Sequence, residues 1–126
     1  MTLQTYDLST TFLHLGDTGA ATPLQVGPDF WAKMPSILSS GRMVSLLKHD
    51  GDWRGWERHP AGDEVIAVLT GRMRFRLELP EGEATVDVPA GRCVIVPKGV
   101  WHTADVSEPS SALFITEGAG TENRPR

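Results

Sequence analysis

Four residues of this sequence, two histidines and two glutamates, are of the types that bind divalent metal ions and lie in two short segments. Glu57, His59 and Glu64 lie close together, and His102 follows a later turn. Residues two apart on a strand share a face, so Glu57 and His59 point together, and Pro60 begins a turn that leads to Glu64. Imidazole nitrogens and carboxylate oxygens suit divalent ions. We predict that His59, Glu64 and His102 meet at one metal site, with Glu57 as a candidate fourth ligand.

The spacing of these residues resembles the paired motifs of the cupin superfamily. The first motif reads His, one residue, His, three or four residues, Glu, six residues, Gly, and it is matched from His59 onward, with Glu57 in place of the first histidine. The second motif reads Gly, five residues, Pro, one residue, Gly, two residues, His, three residues, Asn. The second motif is matched except at its last position, where Val106 replaces the Asn. The matching residues of the two motifs together are His59, Glu64, Gly71, Gly91, Pro97, Gly99 and His102. Seven matching positions are more specific than one short motif.

The resemblance to cupins implies a fold, a site and an assembly. It implies an all-β, double-stranded β-helix of the jelly-roll type, which is the cupin barrel. It also implies a metal-dependent enzyme of oxygenase or isomerase type acting on a small organic molecule, and a homodimer that pairs through an N-terminal strand. The metal ion is Fe, Mn, Ni or Zn in this prediction.

The role of Glu57 separates three functional interpretations. If Glu57 does not bind, two histidines and one carboxylate leave open positions that suit non-haem Fe(II) and oxygen chemistry. If it binds, two carboxylates favour harder ions such as Mn(II) and a Lewis-acid or isomerase role. In the third interpretation the barrel has lost its metal and binds a small molecule as a sensor or carrier. Glu57 itself is a fourth ligand, a catalytic general base, or a solvated rim carboxylate.

Strand-like segments and turns alternate through the second half of the chain. Residues 72–79 alternate charged and apolar side chains, which predicts a strand with Met73, Phe75, Leu77 and Leu79 on one face. Residues 64–70 are almost all apolar, which predicts a strand covered on both faces. Further strands are predicted at 84–88, 92–96, 101–106 and 112–117, with Pro- and Gly-containing turns between them. This pattern is typical of a sandwich or barrel.

The chain divides into three parts. Residues 1–40 form an N-terminal arm that contributes strands to the barrel or to a dimer partner. Short strands at 11–15 and 42–48 and a helical turn at 30–34 are candidates in and next to it. Residues 41–117 form the barrel, and residues 118–126 are expected to be a flexible tail.

Composition limits the partners. The 126 residues carry a net charge of -4 and no basic stripe, so neither nucleic acid nor an anionic membrane is expected as a partner. A small-molecule ligand fits better. No long apolar segment occurs, and the single cysteine, Cys93, is expected to be a buried and inert thiol. These features favour a cytoplasmic protein.

Aromatic and histidine side chains outside the motifs receive simpler interpretations. Trp53, Trp56 and Trp101 are expected to pack in the barrel, with stacking on a ligand as the alternative. Trp101 is adjacent to His102, so its side chain points to the opposite face of the strand, and it is the least suited of the three to contact a ligand. His14 and His49 are interpreted as surface or structural residues.

Overall fold

The structure is a computed structural model, and it describes residues 3–126. Within this range the chain forms one helix and eleven strands. In chain order they are β1 (Thr11–Leu15), β2 (Ala21–Gln25), α1 (Phe30–Ile37), β3 (Arg42–His49), β4 (Gly55–Arg58), β5 (Glu64–Thr70), β6 (Arg72–Leu79), β7 (Gly82–Pro89), β8 (Cys93–Val96), β9 (His102–Asp105), β10 (Ser110–Thr116) and β11 (Glu122–Pro125).

The strands form two antiparallel sheets. One sheet has the order β2-β1-β3-β10-β5-β8, and the other has the order β11-β4-β9-β6-β7. Strands that are distant in the chain are neighbours in space, since β3 pairs with β10 and β4 pairs with β9. The chain therefore alternates between the sheets, and the predicted all-β jelly-roll barrel is confirmed.

The main core lies between the two sheets. Met73, Phe75 and Leu77 of β6 are buried, as their alternation with charged residues predicts. They pack with Ile66 and Val68 of β5 from the opposite sheet. Burial of each large apolar side chain stabilises the fold by roughly 1.5 to 3 kcal/mol. The core therefore fixes the relative position of the two sheets that carry the candidate site.

The N-terminal segment is part of the six-stranded sheet. Strand β1 pairs with β3, and β2 extends the sheet at its edge. The sequence does not predict β2, because Pro23 lies within it, but an edge strand tolerates a residue without an N–H. The expected helical turn is the longer helix α1. Phe30 and Met34 of this helix pack on Phe12 and Met43 in a second core.

Three expectations about the rest of the chain are wrong. The segment expected to be a flexible tail contains β11, which pairs with β4 over four residues. Cys93 is exposed, because β8 is the edge strand of its sheet and turns Cys93 and Ile95 outward. Strand β5 is buried on its inner face alone, and Leu69 on its outer face is 49% exposed. The apolar residues of β5 therefore lie on two different faces, one that packs in the core and one that is left partly exposed.

Gly71 connects β5 and β6 in a conformation that other residues rarely adopt. Its φ is +77°, and a Cβ there would lie 2.6 Å from the Pro109 carbonyl oxygen. Gly91 has a similar φ of +88° but no heavy atom within 4 Å of such a Cβ. We expect Gly91→Ala to lower the free energy of unfolding by about 1 to 2 kcal/mol through backbone strain alone. Gly71→Ala is expected to lose at least about 2 kcal/mol more, because strain and steric overlap add. Urea denaturation measures both losses, and equal losses would contradict the expectation.

Candidate metal centre

Glu57, His59, Glu64 and His102 meet at one end of the barrel. Glu57 lies in β4 opposite His102 of β9, and Glu64 begins β5 in the other sheet. One ligand atom from each of the four residues lies within 4.8 Å of the other three. His59, Glu64 and His102 are buried, and the Glu57 side chain is 27% exposed. The structure thus brings together all four residues that the sequence singled out.

The separations between the four side chains match those of ligands around one ion. His59 Nε2 lies 3.5 Å from Glu57 Oε1 and 3.2 Å from Glu64 Oε2. His102 Nε2 lies 3.4 Å from Glu57 Oε1 and 3.0 Å from Glu64 Oε1. Ligand atoms at about 2.1 Å from a shared ion are separated by about 3.0 Å at right angles and about 3.4 Å in a tetrahedron. No large movement is needed to form such a site.

Hydrogen bonds aim both imidazoles at the cluster. His102 Nδ1 donates to the Val100 carbonyl oxygen at 3.0 Å. The Thr121 hydroxyl donates to the Gly118 carbonyl, so its oxygen accepts from His59 Nδ1 at 2.9 Å. Nδ1 is therefore the outward-facing donor in both rings, and Nε2 faces the carboxylates. This arrangement is usual for histidines that bind metals.

Glu64 is held from two sides. Its Oε2 accepts a hydrogen bond from the Thr116 hydroxyl at 2.6 Å, and its Oε1 contacts His102 Nε2. His59 Nε2, by contrast, is buried and makes no hydrogen bond, although Glu64 Oε2 lies 3.2 Å away. A buried nitrogen surrounded by carboxylate oxygens is suited to an ion rather than to a hydrogen bond.

The four groups change each other's proton affinity. Burial lowers the pKa of both histidines, but their contacts with Glu57 and Glu64 outweigh burial and raise the pKa of His59 to about 9 and that of His102 to about 10. Burial raises the pKa of Glu57, and the two histidines lower it to about 2. The pKa of Glu64 is also lowered, because His102 and His59 overcome the effect of its burial. Without a metal, two imidazolium ions therefore balance two carboxylates.

The charge balance shows that the donor set fits a divalent ion. Two neutral imidazoles and two carboxylates carry a charge of about -2, which one divalent cation neutralises. The ion would replace two protons, so the buried charge would stay near zero. Glu57, His59, Glu64 and His102 are the residues that would hold it.

A cavity of about 450 Å³ opens beside the cluster. Its lining combines one polar side, which includes Glu57, His59 and Glu64, and one apolar side. The apolar side is formed by α1, β3, β10 and the segment before β4, and its residues are Trp31, Met34, Met43, Leu47, Trp53 and Phe114. The volume is within the usual range for sites that bind small molecules.

The residues around the cavity differ in part from the sequence-based expectation. His49, which was interpreted as a surface or structural residue, lines the cavity. Trp53 also lines the cavity, whereas Trp56 and Trp101 stack with arginines outside it, including Arg124 of β11. Alternation along β3 shows that His49 shares a face with Leu47 and Ser45, and this signal was available in the sequence.

Thr121 is a positioning residue that the sequence did not indicate, because it lies in the expected tail. We predict that Thr121→Val lowers the affinity for a divalent metal by roughly 10-fold or more, since partners of metal-binding histidines are worth about 10- to 100-fold. Thr121→Ser keeps the hydroxyl and is expected to retain the affinity. Titration calorimetry with Mn(II) compares the two variants. Equal affinities in the valine variant and the wild type would show that Thr121 does not orient His59.

Comparisons with known proteins agree with the fold and with the motifs. The family described as "Cupin domain" matches residues 43–116. The chain therefore belongs to the cupin family. No curated protein matches the chain significantly.

Solved structures extend this result. A cupin-2 domain protein from Shewanella frigidimarina is 25% identical, with a TM-score of 0.51, over 68% of this chain and 71% of its own. Hydroquinone 1,2-dioxygenase from a Sphingomonas species, solved with 4-hydroxybenzoate, is 20% identical with a TM-score of 0.53, over 62% of this chain and 60% of its own. A mutant of oxalate decarboxylase from Bacillus subtilis is 20% identical with a TM-score of 0.56, over 67% of this chain but 23% of its own. The latter two share the fold.

No helix in residues 3–126 has the length and apolar character needed to cross a membrane.

Proposed function

We propose that this protein is a metal-dependent enzyme that acts on a small organic molecule, with the metal held by His59, Glu64, His102 and Glu57. The observation that carries the proposal is the convergence of four donor atoms within 4.8 Å, beside a cavity. The outward hydrogen bonds of both histidines add to it, because they leave each Nε2 facing the same point.

Glu57 acts as the fourth ligand in this proposal. Its Oε1 lies at nearly equal distances from the two histidine Nε2 atoms, 3.5 and 3.4 Å. A general base works best with a pKa near the working pH, whereas the histidines hold the pKa of Glu57 at about 2. Its position and charge therefore suit metal binding better than proton transfer. Two carboxylates favour Mn(II) or Fe(II) over softer ions.

The residues of the chain prepare the substrate for the ion. When bound, the ion supplies Lewis-acid activation of a substrate oxygen and, for Fe(II), oxygen chemistry. The apolar wall, which includes Met34, Leu47 and Phe114, excludes water and holds the substrate body. Two enzymes with this fold, a dioxygenase and a decarboxylase, are consistent with such use.

The second candidate function is a non-catalytic module that binds a small molecule without metal. The replacement of the first motif histidine by Glu57 favours it, because the site has one imidazole fewer. The intact set of four donor atoms favours the enzyme.

Metal analysis followed by an activity screen tests the proposal. Protein purified without chelators is expected to contain about one Mn or Fe ion per chain, as measured by elemental analysis. Protein reloaded with Mn(II) or Fe(II) is then screened for metal-dependent conversion of small organic molecules. A chain that contains no metal, and that binds neither ion at micromolar concentration, would favour the non-catalytic module.

We also propose that two copies of the chain pair through the outer face of the six-stranded sheet. Register aligns aliphatic side chains across five strands of this face, and none of the aligned residues is charged. They are Leu13, Val44, Ile115, Val65 and Ile95 in one row, and Leu46, Leu113, Ala67 and Cys93 in the next. This apolar patch is five strands wide and is flanked on β3 by the exposed Arg42 and Lys48. Such a patch is complementary to a second copy of itself, and a stable dimer needs about 800 Å² from each partner.

Light scattering at micromolar concentration tests the pairing. The wild type is expected to have the mass of a dimer. Ile95 is 59% exposed, and Ile95→Glu is expected to yield a monomer because it places a charge in the apolar face. Thr85→Glu, on an exposed position of the other sheet, serves as the control and should remain dimeric. A monomeric wild type would rule out the interface.

A further inference from the structure

Two nitrogen atoms in the cavity lining lack hydrogen-bond partners in the protein, in addition to Nε2 of His59 in the candidate metal centre. They are Nε2 of His49 and Nε1 of Trp53, and both are buried. The side chains lie next to each other, with ring centroids 5.7 Å apart, and both line the cavity. Buried polar atoms are nearly always hydrogen-bonded, so two adjacent exceptions in a cavity indicate a ligand group.

The two nitrogens make different demands on a ligand. The indole N–H of Trp53 is a donor only, so the ligand must offer it an acceptor. Burial lowers the pKa of His49, against the charges of Glu57 and Asp50, so the ring is neutral at pH 7. With its proton on Nδ1, a neutral His49 accepts a hydrogen bond at Nε2. A hydroxyl group is the simplest group that accepts from one nitrogen and donates to the other.

The two rings are direct neighbours, with centroids 5.7 Å apart. One oxygen atom that binds both rings through hydrogen bonds of about 3 Å requires nitrogen atoms no more than about 6 Å apart. Trp53 also contacts His102, at 6.1 Å between ring centroids, so the pair adjoins the metal centre.

The side chains around His49 and Trp53 determine the polarity of the ligand atoms next to the hydroxyl group. Phe114 lies 5.8 Å from His49 and 6.1 Å from Trp53, between ring centroids. Leu47 precedes His49 on the same face of β3 and also lines the cavity. The atoms next to the hydroxyl group must therefore be apolar. The cavity volume of about 450 Å³ is sufficient for a small organic molecule.

We propose that His49 and Trp53 form a hydroxyl-recognition pair, and that the substrate is a small, largely apolar alcohol or phenol whose hydroxyl group binds between them. This inference rests on the proposed function for the identity of the ligand as a substrate. The recognition itself does not require the metal.

Binding of phenol and of its methyl ether, anisole, to metal-free protein tests the pair. Both molecules offer an oxygen acceptor to Trp53, but only phenol donates to His49. The wild type is expected to bind phenol about 10-fold more tightly than anisole, as measured by titration calorimetry. His49→Leu is expected to remove this preference, and His14→Leu, the same change at a histidine outside the cavity lining, is expected to keep it.

Trp53→Phe provides a second variant with a different signature. It removes the shared donor, so phenol and anisole should both bind more weakly while the preference for phenol remains. A wild type without a preference for phenol would overturn the inference, as would a preference that His49→Leu leaves unchanged. Metal content is measured in parallel and should be the same in His49→Leu as in the wild type. A lack of metal in all of these proteins would instead count against the proposed function alone.

Discussion

Replacing His102 with alanine is expected to abolish stoichiometric metal binding. The His102 side chain is fully buried, and its Nε2 is the cluster atom closest to Glu64, at 3.0 Å. Loss of a direct ligand should weaken affinity by at least about 100-fold, since indirect partners alone are worth about 10- to 100-fold. His59→Ala should have a similar effect. Elemental analysis and calorimetry with Mn(II) measure both losses.

The same substitution has an effect on folding that separates the two histidines. Removing His102 takes a hydrogen-bond partner from Glu64, which is 2% exposed, and a buried carboxylate that loses its partner destabilises a protein by about 3 to 5 kcal/mol. His59→Ala leaves Glu64 bonded to His102 and Thr116, so its effect on unfolding should be smaller. His14→Ala, far from the cluster in a bond to the Ser40 carbonyl, is the control for metal binding. Unchanged metal content in folded His59→Ala and His102→Ala would refute the assigned ligands.

The sequence predicted most of the barrel because local pattern and burial agree there. The alternation in β6 and the turn glycine between β5 and β6, Gly71, reflect local physical rules, which act over a few residues. The cluster was predictable for the same reason. His59 and Glu64 are fixed by one turn, and His102 follows the turn at Gly99, whose φ of +75° is one that glycine adopts readily.

The parts that were missed depend on long-range contacts. Strand β11 has a polar sequence, and it is held by pairing with β4, by the Arg58–Glu122 ion pair and by Arg124 between two tryptophans. None of these contacts leaves a local pattern. Thr121 reaches His59 only because pairing of β11 with β4 holds this segment in place. Since residues 118–126 were expected to be a flexible tail, this hydrogen-bond partner of His59 was not predicted.

The exposed thiol and the outer face of β5 were missed for a related reason. An apolar residue has the same identity whether it faces a core or an uncovered sheet, so Cys93 and Leu69 were both expected to be buried. Sheet order decides the outcome, and the order depends on the pairing of distant strands. The sequence therefore constrains which residues share a face better than it constrains what covers that face.

Metal binding is expected to release about two protons per ion at neutral pH. In the metal-free protein the contacts with the carboxylates raise the pKa of His59 to about 9 and that of His102 to about 10, so both rings are charged at pH 7. An ion must displace the proton on each Nε2. Calorimetry with Mn(II) in buffers of different ionisation enthalpy counts these protons. Apparent affinity should rise about 100-fold per pH unit between pH 6 and 8 and level off as pH passes the two histidine pKa values.

The same proton affinities set the stability of the metal-free protein. The two histidine pKa values are raised above 6.5, so their contribution is complete below pH 6.5 and is lost as pH rises through about 9 and 10. The pKa of Glu57 is lowered from 4.5 to about 2, so its contribution is present above pH 4.5 and is lost as pH falls through about 2. The contribution of the cluster to folding should thus be greatest between about pH 4.5 and 6.5. Urea denaturation of metal-free protein across this range measures it, with His59→Ala as the comparison.

The metal titrations test the same pKa values independently. A metal affinity that does not change with pH, or a release of no protons on metal binding, would mean that the histidines are neutral before the ion binds.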